Sequence, residues 1–366
     1  MSRFNLNSVG ERLSFRVDQQ SFSFEAVEHP HAPGEVHAAE GGKAFVFRVR
    51  ELQAPHGDYA FKVLKSAHRD PSLVAVCARL DPLKGSAGFT VCRRLCLTPT
   101  SAADLIRQSP DLSFAILMPW IGGLSWFDAL QKGRHGEALL NQDQCRQLAF
   151  NLVNILLQLE EEGNAHCDLS GPNVLFNPTT LQVELIDVED FYMPGLQPPK
   201  AIPAGTPGYQ HRTSATGQWN PLGDRFAGAV LLCEMLGWYD DEVRRQCSGE
   251  SYFSAGELQQ PTARQRLASL KTAVSRHGDQ LGRLLEQAWN SSTLTDCPSF
   301  REWWAACSPF EFVELSRPPR IIWSPLSAAG SNPVVAWEPL SPQASTDAVV
   351  RWEGGSSGND PQGGNS

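Results

Sequence analysis

The sequence predicts an α+β chain built as two lobes, a small β-rich one ahead of a larger helical one. Three observations carry that expectation. Period-two alternation runs through much of residues 21–64, helical periodicity takes over after residue 140, and Pro119 with Gly122-Gly123 marks a break between them. At about 150 residues per domain, 366 residues correspond to two or three units, enough to bury a core without a metal or disulfide staple.

The β-rich lobe, expected over residues 1–118, reads strand by strand. Ser21-Phe22-Ser23-Phe24-Glu25-Ala26-Val27 and Ala44-Phe45-Val46-Phe47-Arg48-Val49-Arg50 both alternate apolar with polar, and His56-Gly57-Asp58 turns the chain into Tyr59-Ala60-Phe61-Lys62-Val63-Leu64. Residues 44–64 therefore predict a β-hairpin. Asp70-Pro71 opens a helix running to Asp81, with Pro in the first turn. Phe114-Ala115-Ile116-Leu117-Met118 is a short buried strand.

The helical lobe is expected over 119–312. Leu148, Leu152, Ile155, Leu156 and Leu159 form one stripe of a helix over 142–161, Asn141 and Gln144 are spaced as a capping box, and Gly163 stops it. Residues 224–238 are apolar on nearly every side and predict a buried helix; residues 279–290 and 299–307 predict two more. Beyond residue 313 the chain becomes rich in Pro, Gly and Ser. Within that tail Trp323, Trp337 and Trp352, each preceded by bulky β-branched pairs, recur 14 and 15 residues apart, a pattern that a protein partner's groove or sheet edge would grip.

Composition narrows the function classes. A formal charge of −9 argues against a general binder of nucleic acid or anionic membrane, because phosphate affinity comes from Lys and Arg. The longest apolar run, Phe226–Cys233, falls far short of a membrane span, and the first sixteen residues carry no apolar targeting core. Nine scattered cysteines without a C-x-x-C pair fit a reduced, cytoplasmic setting; the spacing of Cys92 and Cys96 alone is weak evidence for zinc.

The informative segment is His166-Cys167-Asp168-Leu169-Ser170-Gly171-Pro172-Asn173-Val174-Leu175-Phe176. Asp187 follows after an apolar strand, then Gly205-Thr206-Pro207-Gly208-Tyr209, then the Asp224-led helix, with Ala60-Phe61-Lys62 upstream. In order and spacing, residues 20–310 resemble the protein-kinase family: an H-x-D-x-x-x-x-N catalytic loop, a metal-binding Asp, a G-T-P-x-Y substrate loop and a strand lysine. The resemblance implies a serine/threonine-kinase-like phosphotransferase that uses ATP and Mg²⁺. Lys62 would hold the α- and β-phosphates, Asp187 and Asn173 would bind Mg²⁺, and Asp168 would accept the proton of a Ser or Thr hydroxyl. His166 would hold the loop to the metal-binding segment, and Thr206 would hydrogen-bond Asp168. Gly41 and Gly42 would cradle phosphate, with Val46, Ala60 and Leu175 around adenine, Met118-Pro119-Trp120 as the hinge and Leu117 at the back of the pocket.

Departures from the family pattern sharpen the reading. Against the family's G-x-G-x-x-G-x-V loop, Ala39-Glu40-Gly41-Gly42-Lys43-Ala44-Phe45-Val46 keeps Gly41 and Val46, with alanines at the outer glycine positions. No Glu lies between Lys62 and Phe114 to pair with the lysine, and Asp81 is the best substitute. Cys167 replaces the arginine that reads activation-loop phosphate, and residues 188–204 hold no Ser or Thr, so loop phosphorylation is not expected to switch this chain. Thr213 and Cys297 stand where the family has a Glu–Arg ion pair, Ser170 where many members carry Lys, and Val188-Glu189 where they carry Phe-Gly. Two other readings stay open: a pseudokinase scaffold recruiting partners through its Trp-containing tail, and a small-molecule phosphotransferase of the aminoglycoside or choline kinase-like class.

Overall fold

A computed structural model of the chain describes residues 4, 6–53, 57–214, 217–259 and 264–308. The tail expected from residue 313, with its three tryptophans, lies outside the described residues. The architecture is α+β, with a curled sheet in the N-terminal region and helices in the C-terminal part.

The sheet orders its strands β1 (Arg12–Val17), β2 (Gln20–Ala26), β6 (Ala44–Glu51), β7 (Asp58–Leu64), β9 (Ile116–Pro119) and β8 (Leu95–Cys96), with β5 (Ala38–Glu40) also on β6. All its pairings are antiparallel, and a small hairpin of β3 (Glu28–His29) and β4 (Ala32–Val36) stands beside it. The alternation read from the sequence sets which side each residue takes. Phe47, Val49, Tyr59, Phe61, Val63, Ala115 and Leu117 enter one core with Phe15, Phe22 and Phe24, whose rings stack. Ala60, Ile116 and Met118 join the other core, which continues into the helical part.

Two helices leave the sheet region: α1 (Ser72–Leu80), entered through Pro71, and α2 (Ala103–Gln108). A three-stranded sheet of β10 (Leu124–Ser125), β11 (Val174–Phe176) and β12 (Val183–Leu185) follows, threaded by α3 (Trp126–Arg134) and α4 (Gln142–Glu161). The capping box of α4 is present: the Asn141 side chain accepts the Gln144 N–H at 2.9 Å, and Gln144 accepts the Asn141 N–H at 3.0 Å. Gly163, at φ 69°, turns the chain away after the helix.

Twelve of the thirteen residues of α5 (Arg225–Gly237) are buried, as its all-round apolar sequence requires. Around it stand α6 (Asp241–Gln246), α7 (Ala255–Gln259), α8 (Arg264–Ser275), α9 (Asp279–Asn290) and α10 (Phe300–Cys307). Thr213 and Cys297 belong to a neutral chain of contacts: Thr213 with His211 at 2.8 Å, His211 with Ser291 Oγ at 3.1 Å, and the Cys297 thiol to Ser291 Oγ at 3.2 Å. No helix among the described residues is long and apolar enough to cross a membrane.

Candidate functional site

The sheet register builds the upper wall of the site. One cross-strand row runs Val46, Lys62, Ile116, Cys96 through β6, β7, β9 and β8. The next row on the same face is Arg48, Ala60, Met118. Trp120 closes its end, with His37 edge-on at 4.8 Å and the Arg48 guanidinium 5.3 Å from its ring. Leu117 does not join this set. It sits one residue out of phase, facing the opposite core with Phe61, because strand neighbours alternate sides; Ile116 takes the inward position instead.

The lower wall is the segment around Asp168. The buried Asp224 carboxylate, just ahead of α5, accepts the backbone N–H groups of His166 at 2.6 Å and Cys167 at 2.8 Å. His166 reaches the carbonyl of Ile186 at 2.8 Å, and Ile186 N–H returns to the carbonyl of Asn173 at 3.0 Å. These bonds hold two non-glycine residues in left-handed backbone, Cys167 at φ 65° and Asp187 at φ 62°. Such conformations persist only where the surroundings over-determine them, and they concentrate at functional sites. The Thr206 hydroxyl donates to Asp168 Oδ1 at 2.8 Å, and the Asn173 amide nitrogen donates to the Asp168 carbonyl at 2.8 Å. The Asn173 amide oxygen is the atom of this side chain that could hold a metal.

The walls meet through charges. Lys62, buried in β7, contacts Asp187 and lies 2.6 Å from Glu189. Arg94, whose side chain is fully buried, binds the other Glu189 oxygen at 2.8 Å. Asp81 is not the partner of Lys62: it ends α1 and pairs with Lys84 at 3.4 Å, while Glu189, drawn from the far side of the site, supplies the carboxylate. Nearer the mouth, Lys43 in the turn that follows Gly41 and Gly42 contacts Asp190. Gly41 itself closes that turn, donating its N–H to the Ala44 carbonyl at 2.8 Å.

No protein-family model matches the chain, and a search of curated proteins finds no match.

Electrostatics sort the acids into roles. Burial works against the charge of Lys62, yet Glu189 and Asp187 override it and hold the ammonium above its usual range. Burial likewise opposes Glu189, and Lys62 and Arg94 hold it well below the usual carboxylate range, a fixed anion between two cations. Asp168 is pushed upward by burial, with the Thr206 hydroxyl pulling the other way. Asp187 keeps 39 % of its side chain open. Among the described residues, no group of three or more His, Cys, Asp or Glu converges to hold a metal by itself. One open carboxylate and one amide oxygen nonetheless fit Mg²⁺, which shares its octahedron with phosphate and water rather than filling it from protein.

The sequence reading marked Glu189 only as a departure from the family pattern; its pairing with Lys62 and Arg94 escaped it. The only available signal was an acid two residues after Asp187, and nothing local ties it to a lysine 127 residues earlier. Leu175 lies in β11 beside Asn173 and Val174, on the lower wall.

Proposed function

We propose that this chain is a two-lobed, protein kinase-like phosphotransferase that moves the γ-phosphoryl group of ATP, with Mg²⁺, to a Ser or Thr hydroxyl of a protein. The observation that carries the reading is the meeting of Lys62 with Asp187, beside a loop that presents Asp168 and Asn173 from a shared anchor, Asp224. Phosphoryl transfer asks for little covalent chemistry from a protein, mainly positioning and charge neutralisation, and this residue set supplies both. Bound Mg²⁺ would neutralise phosphate charge. Lys62 would leave Asp187 for the α- and β-phosphate oxygens while Glu189 keeps it in place. Asp187 and the Asn173 oxygen would hold the metal. Asp168, oriented by Thr206, would accept the proton of the acceptor hydroxyl. Lys43 would add a second ammonium over the phosphates once released from Asp190.

The Gly205–Tyr209 loop favours a peptide over a small-molecule acceptor. Tyr209 is fully buried and hydrogen-bonds Glu234 of α5 at 3.1 Å, so the loop is a fixed platform rather than an open flank.

The test is transfer of labelled γ-phosphate to a generic protein substrate and to the chain itself, with thermal unfolding in ATP and Mg²⁺ alongside. Wild type should transfer label, and nucleotide at 100 times its dissociation constant should stabilise it by about 2.7 kcal/mol. Asp168→Asn should lose transfer by 10²-fold or more, the scale of a proton-transfer residue, while keeping the thermal shift. Absence of both transfer and shift in wild type overturns the proposal. A shift without transfer overturns the catalytic part and leaves a nucleotide-gated scaffold.

A further inference from the structure

None of the proposed transfer steps uses Arg94, yet three of its nitrogens hold three different parts of the molecule. Nε donates to the Val91 carbonyl at 3.0 Å, Nη1 to Glu189 at 2.8 Å and Nη2 to the Met118 sulfur at 3.5 Å. Its side chain is fully buried, so it touches neither nucleotide nor acceptor itself. The short 3₁₀ turn before it, Thr90–Cys92, is fastened to the lower wall. Thr90 donates its N–H and its hydroxyl to the Glu184 carboxylate of β12 at 2.9 and 2.8 Å, and the Leu185 N–H meets the Gly88 carbonyl at 2.9 Å. Arg94 then lies one residue ahead of β8, whose register with β9 sets it opposite Met118 of the upper wall. A charged relay therefore runs from Lys62 through Glu189 to Arg94 and on to the strand that leads into Trp120.

We propose that Arg94 is a positioning residue that sets the Lys62 ammonium through Glu189 and, by its contact with Met118, fixes that ammonium relative to the wall on which a nucleotide base would rest. The consequence for phosphoryl transfer rests on the phosphotransferase reading; the relay itself does not.

Shape and charge both call for arginine here. A lysine would give Glu189 one point charge and could not reach the Val91 carbonyl and the Met118 sulfur as well, whereas a planar fork reaches all three. Glu189 divides its charge between two cations. With Arg94 gone, the whole of that charge falls on Lys62 and draws the ammonium back from the phosphates it must meet. The Met118 limb is the weaker one, because a thioether sulfur accepts poorly, so it contributes direction more than energy. The helix α1 supplies no acid to this relay: Asp81, at its end, pairs with Lys84.

Two measurements on the full-length protein decide it. In urea denaturation, Lys62→Met, Arg94→Met and the double variant form a cycle. Each single change leaves Glu189 one cation and the double leaves it none, so the double should lower the midpoint by more than the two single losses combined. Losses that simply add overturn the proposal. The second measurement uses Arg94→Lys, which keeps the buried charge and loses only the fork, so it does not depend on Arg94→Met folding. In transfer of labelled γ-phosphate, this variant should show a raised KM for ATP and a kcat/KM lower by roughly tenfold or more. A merely structural loss would shrink the active fraction, lowering kcat at unchanged KM, and that result overturns the proposal. So does an Arg94→Lys protein with wild-type constants. Asp81→Asn should match wild type in both measurements; a loss of transfer there would return the acid of Lys62 to α1 and overturn it too. If wild type transfers no label, the phosphotransferase reading fails while the urea cycle still decides the relay.

Discussion

Glu189 is the residue on which the charges of the site balance. Its two oxygens hold two buried cations, Lys62 at 2.6 Å and Arg94 at 2.8 Å, and only 9 % of its side chain is exposed. Removing one member of a buried ion pair costs about 3–5 kcal/mol, because the partner's desolvation is then unopposed. Glu189→Ala should therefore destabilise by about that amount in urea denaturation, since Arg94 has no other acid in contact among the ion pairs of the described residues. A loss under about 1 kcal/mol would mean that the cations are hydrated in solution and that the relay does not exist. The sequence made Lys62, Asp168, Asn173, Asp187 and Asp224 legible, because their order and spacing along the chain are fixed by the loops that carry them. It hid the pairing of Glu189 with Lys62 for a physical reason. A lysine needs an acid nearby in space, and the tertiary fold decides which stretch of chain provides it.

Elements were legible wherever their signal was local. The helix α4 has an apolar stripe and a reciprocal cap, α5 is apolar all round, and both appear within a residue of the expected bounds. Strands of two or three residues such as β8, β10 and β12 have no room for a period, so only pairing reveals them. The helix α3 was legible and missed: Ser125 and Asp128 form a capping box, with the Ser125 hydroxyl accepting the Asp128 N–H at 3.0 Å. Inside α3, Gly133 sits where helix propensity would favour Ala by about 1 kcal/mol. Packing opposes it, because a Cβ there would fall 2.5 Å from the fully buried Trp238 ring. Overpacking costs about 1–3 kcal/mol, so the clash wins. Gly133→Ala should lower the unfolding midpoint, whereas Gly256→Ala in α7, with nothing within 4 Å of its Cβ, should leave it unchanged or raise it. A more stable Gly133→Ala protein would show that α3 and α5 separate easily.

At the scale of the whole molecule, the helical part is tied together by one buried acid that no spacing rule identifies. Glu234 of α5 accepts the Trp126 indole N–H of α3 at 2.8 Å, the Tyr209 hydroxyl at 3.1 Å and the Tyr252 N–H at 2.7 Å. Three segments more than fifteen residues away in sequence thus converge on a helix that reads from sequence as a plain apolar rod. Burial pushes the Glu234 carboxyl from an ordinary 4.5 up to about 7, with the three donors pulling back only part of the way. Between those values the folded chain holds a proton that the unfolded chain releases. Stability from this group is therefore full below pH 4.5 and is lost as pH climbs toward about 7, at a slope approaching 1.4 kcal/mol per pH unit. Glu234→Gln cannot titrate and leaves one donor unsatisfied at every pH, a loss of about 1–3 kcal/mol that does not vary with pH. The stability gap between wild type and Glu234→Gln, measured by urea denaturation from pH 5 to 8, should narrow as pH rises to about 7 and then level off. A gap that stays constant across the range would mean that Glu234 is already ionised at pH 5. The three donors would then outweigh burial, and Tyr209 would be held against α5 by a full charge at every pH where the chain is folded.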